Sequence, residues 1–230
     1  MSFLLPFATT PPDPYVRAMK IKVPKDDGQS FAGFAMIVDI NGFTSMVAQG
    51  GDAQFTRDIL VGGIECVEKN GGEVVGLMGD AFYGVLATFD DVVNCCAAIA
   101  KDVDRQCEYI SHLQSEDPDK FSHSPGGLSL KVGVEYGTFD VSEIHTTFMG
   151  DQFLVVGPAV IYAHRIAAAG VGNRCLIGPN AVKFGLDNYG HRLIGPFNIE
   201  GKSGEPIYEY HELDIGEFWR AGETTETYRG

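Results

Sequence analysis

Two aspartates stand out for where they fall. Asp39 closes a short, nearly continuous apolar run from Phe34 to Val38, and Asp80 follows Gly79 between two further apolar runs, Glu73 to Met78 and Ala81 to Ala87. Taken singly, an acid at a strand end is a common helix cap, and Gly-Asp is common in hairpins. Brought together, the two carboxylates would repel each other unless a cation or a proton lay between them. A divalent metal ion is the natural guest, since hard cations take oxygen ligands. Directly after Asp39 comes Ile40-Asn41-Gly42-Phe43-Thr44. Gly42 permits a tight turn that exposes backbone amides ahead of a helix, and amides so oriented favour phosphate. Paired acids and a glycine turn suggest two-metal chemistry on a nucleoside triphosphate.

Whether residues 39 and 80 meet depends on the elements between them. Phe34 to Val38 has the pattern of a strand buried on both faces. From Asp52, Phe55, Ile59, Leu60, Ile64 and Val67 recur at helical spacing until Asn70-Gly71-Gly72 ends the helix. Glu73 to Met78 and Ala81 to Ala87 read as strands joined by a Gly79-Asp80 hairpin turn. A second helix is expected from Asp90 to about Leu113, with Asp90 as its N-cap. A polar loop, Gln114 to Gly127, leads to a strand at Leu130 to Val134. The order β-α-β-β-α-β is that of a ferredoxin-like split unit, an α+β fold. A right-handed crossover makes the first two strands parallel, so Asp39 and Asp80 converge at one sheet edge although 41 positions separate them.

The composition limits the partners. With 230 residues, 44% of them hydrophobic, the chain can bury one large core. Asp plus Glu number 31 against 17 Lys plus Arg, a net charge of −14. That field disfavours a nucleic-acid polymer or an anionic membrane as partner. Cys66, Cys95, Cys96, Cys107 and Cys175 lack the paired spacing of a zinc site and read as buried reduced thiols, hence a cytoplasmic protein. The start, Met-Ser-Phe-Leu-Leu-Pro-Phe, lacks a signal peptide's charged region, and no window approaches the roughly 18 apolar residues of a membrane span. The prolines at 6, 11, 12, 14 and 24 suggest an extended arm over 1–30, a folded domain over 31–213 and a tail over 214–230. The six histidines show no metal-ligand spacing and read mostly as surface or capping residues.

Five ordered segments resemble the catalytic domain of the class III nucleotidyl cyclases, the adenylate and guanylate cyclase family. Val38 to Thr44 resembles its first metal motif and Gly76 to Phe82 its second. Lys131 to Gly137 is similar to its central strand, Val156 through Arg165 to its dimer-site helix, and Ile199 through Tyr210 to its closing hairpin. Together these cover roughly residues 33 to 212. The resemblance implies a ferredoxin-like core with C-terminal β-α-β additions. It also implies a homodimer with shared active sites, each taking one nucleoside triphosphate and two Mg or Mn ions. Asp39, Asp80 and the carbonyl of Ile40 would hold the metals, and the amides of Gly42, Phe43 and Thr44 the phosphates. Arg165 matches the family's transition-state arginine, contributed across the dimer.

The departures from the family's pattern concern the sugar and the base. Ile161 stands where the family has a ribose-binding asparagine, and Gly76 and Leu154 stand where adenylate cyclases read the base. Neither Gly76 nor Leu154 can hydrogen-bond a purine edge through its side chain. Glu200 aligns with the triphosphate lysine, which Lys202 could replace by a small shift. Metal acids kept with base readers changed is a pattern similar to the stand-alone bacterial pyrimidine cyclases of anti-phage signalling. By that resemblance, UTP is the expected substrate and cyclic UMP the product, which reaches a separate effector. The chain's short form, without a membrane or regulatory domain, looks more like the uridylate type. Alternatives are an adenylate or guanylate cyclase with an unusual base pocket, and a catalytically silent nucleotide-binding dimer.

Overall fold

Alternation along the first strand sends one set of side chains to each face of a single sheet. The computed structural model describes residues 20–41, 53–118, 129–147, 150–169, 174–197 and 208–213. In chain order these form β1 (Ser30–Asn41), α1 (Ala53–Lys69), β2 (Glu73–Met78), β3 (Ala81–Leu86), α2 (Phe89–Glu116), β4 (Ser129–Thr146), β5 (Gly150–Val156), α3 (Pro158–Ala169), β6 (Arg174–Ile177), β7 (His191–Phe197) and β8 (Tyr208–Leu213). Two short 3-10 turns, Ala181–Phe184 and Leu186–Asn188, lie between β6 and β7.

The strands order as β2-β3-β1-β4-β6-β8-β7, with β5 paired to the outer half of β4. β1 runs antiparallel to both β3 and β4, and β2 antiparallel to β3. The first two strands are therefore parallel with β3 inserted between them, the split arrangement expected from the element order. Phe34, Met36, Val38 and Ile40 face α1 and α2 in one core, while Ala35 and Ile37 face the second core with Ala159, Ala163 and Ala167 of α3. A strand covered on both sides needs the unbroken apolar run that this one has.

Local signals set the helix ends. Gly71, at φ 80, ends α1 with the paired bonds Gly72 N–H to Val67 O (2.9 Å) and Gly71 N–H to Glu68 O (3.1 Å), the pattern in which glycine supplies a left-handed cap. At α2 the N-cap is Thr88, whose hydroxyl oxygen accepts from Asp91 N–H at 3.1 Å, and not Asp90. Asp90 instead accepts a hydrogen bond from the Tyr189 hydroxyl at 2.6 Å. Two other elements run longer than expected: α2 reaches Glu116, and β4 continues past Val134 to Thr146 because β1 and then β5 pair with it along its length. Within residues 20–29, backbone bonds from Ile21 to Gly71 O and from Gly28 to Val141 O, and one from Val23 N–H to Glu73, tie the chain to the sheet before β1 begins.

α3 sits on β4 through glycine. A Cβ at Gly133 would lie 2.2 Å from the Ala163 carbonyl oxygen and 2.5 Å from the Ala167 nitrogen, and one at Gly137 would lie 2.9 Å from the Ala159 Cβ. Between them, buried Glu135 accepts backbone bonds from Tyr136, Asn180 and Ala181 at 2.7, 3.1 and 3.0 Å. Burial pushes its carboxyl above the ordinary range against the pull of those bonds. All five cysteines are free thiols, and Cys96 and Cys175 meet at 3.5 Å in the core. Among the described residues, no helix is long and apolar enough to cross a membrane.

Gly133→Ala must lift α3, since the obstruction is helix backbone. We expect it to lower the urea midpoint at unchanged m-value, by a destabilisation of about 1–3 kcal/mol. Thr88→Ala, which removes the cap and the hydroxyl's bond to the carboxylate of buried Asp91 (2.7 Å), should cost about 1–3 kcal/mol in the same assay.

Candidate active site

Strand register brings the two acids together. Asp39 pairs with Ala81, the residue directly after Asp80, and the Ile40 N–H donates to the Asp80 carbonyl at 3.3 Å. The turn that carries Asp80 has two residues between the paired Met78 and Ala81, and Gly79 takes the left-handed conformation it needs, φ 65. The carboxyl end of β1 and the β2–β3 hairpin thus form one edge, as the element order requires. Both aspartates are partly exposed.

Burial, and after it the charge of Asp80, hold the Asp39 carboxyl above the ordinary carboxylate range, while Lys131 and His164 draw it the other way. Lys131 is the cross-strand partner of Asp39 on β4, and His164 is carried by α3. Neither was expected as a site residue. No sequence spacing reveals Lys131, because its place opposite Asp39 comes from the β1–β4 register. His164 had a signal only in its neighbour Arg165, which is partly buried on the same helix.

Among the described residues no group of three or more His, Cys, Asp or Glu is poised around one point. Two carboxylates and the Ile40 carbonyl are hard oxygen donors of the kind that magnesium and manganese take, and two like charges at one edge favour such an ion. The donor set fits a divalent cation whose remaining positions are filled by water or by a ligand's oxygens.

The other expected site residues divide by position. Gly42, Phe43, Thr44 and Lys202 lie outside the described residues. Pro158 opens α3, and one turn separates exposed Ile161 from Arg165. Gly76 pairs with Tyr83, whose hydroxyl donates to the carbonyl of Val155, the residue after Leu154. Gly76 and the strand bearing Leu154 are therefore joined through one tyrosine. Around them, Leu77 (67% exposed), Met78, Phe153, Leu154, Val156 and Ile161 present apolar side chains to the surface.

The raised Asp39 carboxyl has a thermodynamic consequence. With its folded value above its unfolded one, the unfolded chain releases the proton first as pH rises, so stability falls across that interval. In excess chelator, the stability that Asp39 contributes should be lost as pH rises from about 4 through its raised folded value, read as the difference in melting temperature between the parent and Asp39→Asn. Asp39→Asn, which keeps the shape without the charge, should lack that loss and melt higher at pH 7. Identical profiles for the two proteins would contradict the charge conflict at this edge.

No family model and no curated protein matches the chain. Solved structures do. The chain is similar to the guanylyl cyclase Cya2, at 18% identity and a TM-score of 0.63 over 82% of this chain and 94% of that one. It is also similar to the adenylyl cyclase CyaB from P. aeruginosa, at 18% identity and 0.61 over 82% and 96%. The non-canonical dimeric guanylyl cyclase domain of the RhoGC fusion protein from the aquatic fungus Blastocladiella emersonii is similar at 13% identity and a TM-score of 0.58 over 80% and 97%. The chain thus has the α+β fold of adenylyl and guanylyl cyclase catalytic domains over four fifths of its length.

Proposed function

We propose that this protein is a metal-dependent nucleotidyl cyclase that converts a nucleoside triphosphate, with UTP favoured, to the 3′,5′-cyclic monophosphate and pyrophosphate. The observation that carries the reading is the meeting of Asp39 and Asp80 at one sheet edge, in a fold shared with adenylyl and guanylyl cyclase domains. In the reaction the ribose 3′-oxygen attacks the α-phosphorus, and the bond from that phosphorus to pyrophosphate breaks.

Asp39, Asp80 and the Ile40 carbonyl would hold two Mg or Mn ions. When bound, such ions favour ionisation of the attacking hydroxyl and neutralise the departing pyrophosphate. The amides of Gly42 to Thr44 bind phosphate oxygens, and Lys202 meets the triphosphate. Arg165 of one subunit faces charge developing on the α-phosphate in the site of the other. The apolar side chains exposed along β2, β5 and the start of α3 support a homodimer, since water contact there is costly and a second copy would remove it. Ile161 gives the ribose no hydrogen bond, so the sugar is oriented by its neighbours.

The pyrimidine preference rests on resemblance: metal acids kept while Gly76 and Leu154 replace the purine readers is the pattern of the stand-alone pyrimidine cyclases, and neither side chain by itself selects uracil. On this reading the cyclic product is a second messenger for a separate effector in bacterial anti-phage signalling. A purine triphosphate is the second reading, favoured by the adenylyl and guanylyl cyclases whose fold the chain shares.

Incubating the purified protein with equal UTP, CTP, ATP and GTP and manganese, with products resolved by mass, decides between them: cyclic UMP should dominate. Asp39→Ala should lower the rate on the order of a thousandfold, about 4 kcal/mol of transition-state stabilisation. An unchanged rate would leave the acids without a catalytic role. Mixing Asp39→Ala chains with Arg165→Ala chains should restore about one working site per mixed dimer, while each homodimer stays inactive.

A further inference from the structure

Glu135 is an acid at the centre of the sheet, 1% exposed, for which the proposed reaction has no use. It pairs with Ala35 of β1, and its neighbours on the same face of β4 are Gly133 and Gly137, the two residues on which α3 rests. Small residues on three sides leave room for one long side chain beneath the helix.

Its two oxygens have different surroundings. Oε1 accepts all three N–H bonds, from Tyr136 beside it and from Asn180 and Ala181 at the turn after β6. Oε2 is buried and, among the described residues, has no hydrogen-bond partner. A Cβ at Gly178 would lie 2.4 Å from Oε2 and 2.6 Å from Ile166 Cδ1, so the acid and the helix crowd one point at the end of β6. Ile166 directly follows Arg165 on α3. An ionised oxygen with no donor is costly to bury, and burial holds this carboxyl above the ordinary range although Lys183 on the following 3-10 turn draws it down. The neutral acid, with its proton on Oε2, avoids that charge and still lets Oε1 accept. Strand β4, the turn after β6 and helix α3 therefore meet at one side chain.

We infer that Glu135 is a positioning residue for Arg165: by fastening the turn after β6 to the centre of β4 and filling the space beside Ile166, its carboxyl fixes where α3 presents the arginine. This inference rests on the cyclase reading above. On that reading Arg165 serves the partner's site, so loss of the carboxyl harms the site across the dimer and spares the metal acids of its own chain.

The test is subunit mixing with manganese and the best triphosphate of the parent, with folding checked by thermal melts. Glu135→Leu, which removes the acceptor, should lower kcat at least about tenfold while KM moves by less than about threefold, because the arginine meets charge that develops only in the transition state. Glu135→Gln, which keeps an acceptor oxygen without the charge, should retain kcat. Mixed with Asp39→Ala chains, Glu135→Leu chains should regain activity; mixed with Arg165→Ala chains, they should not. Gly178→Ala, which crowds the carboxyl from the other side, should fall in the same class. If the leucine variant does not fold, Gly178→Ala and the milder Ile166→Val carry the same expectation. A folded Glu135→Leu with the parent's kcat, a defect confined to KM, or a defect relieved by Arg165→Ala chains, by both kinds of chain or by neither overturns the inference and leaves the cyclase reading standing. A parent that cyclises no triphosphate overturns both.

Discussion

Antiparallel pairing of β1 with β3 forces two like charges to share one edge of the sheet. The constraint is one of register. Once Phe34 to Val38 is buried on both faces, a shift of one residue would drive the whole strand's side chains to the wrong sides. Asp39 therefore has a single place, opposite Ala81, and Asp80 follows from the two-residue turn before it. The electrostatic conflict at that edge is a by-product of hydrophobic packing, and it persists because the core beneath it is worth far more than the repulsion above.

The surrounding elements manage that conflict and define the space around it. β4 brings Lys131 opposite Asp39, and α3 brings His164 near it, so two nitrogen-bearing side chains flank the acids from two directions. On the far side of β1, Tyr83 ties the β2–β3 hairpin to β5. The site is thus walled by the sheet, by one helix and by a strand that leaves the main sheet path to pair with the end of β4.

Much of this was legible in the residues themselves. The apolar run before Asp39, the helical spacing up to Val67 and the Gly79-Asp80 turn have local causes, and their order alone predicts the convergence of the two acids. The cap of α2 was misjudged because Thr88 and Asp90 are both capping residue types, and only the path of the chain shows which one precedes the first helical turn. The extent of β4 was hidden for another reason: beyond Val134 its partners are β1 and β5, and pairing rather than composition keeps it extended. Lys131, His164 and Tyr83 share that limit. Each acquires its role from a residue tens of positions away, through cross-strand register or helix placement, which no short motif encodes.

The seat of α3 on Gly133 and Gly137 bears on how the site could move. Where main chain rests on main chain, no layer of side chains is available to compress or rearrange, so the separation between helix and sheet is stiff. Sliding along the helix axis is the softer direction, because it exchanges one alanine contact for the next. A change in how His164 stands over Asp39 would then be a shear of α3 across β4 and not a hinged opening.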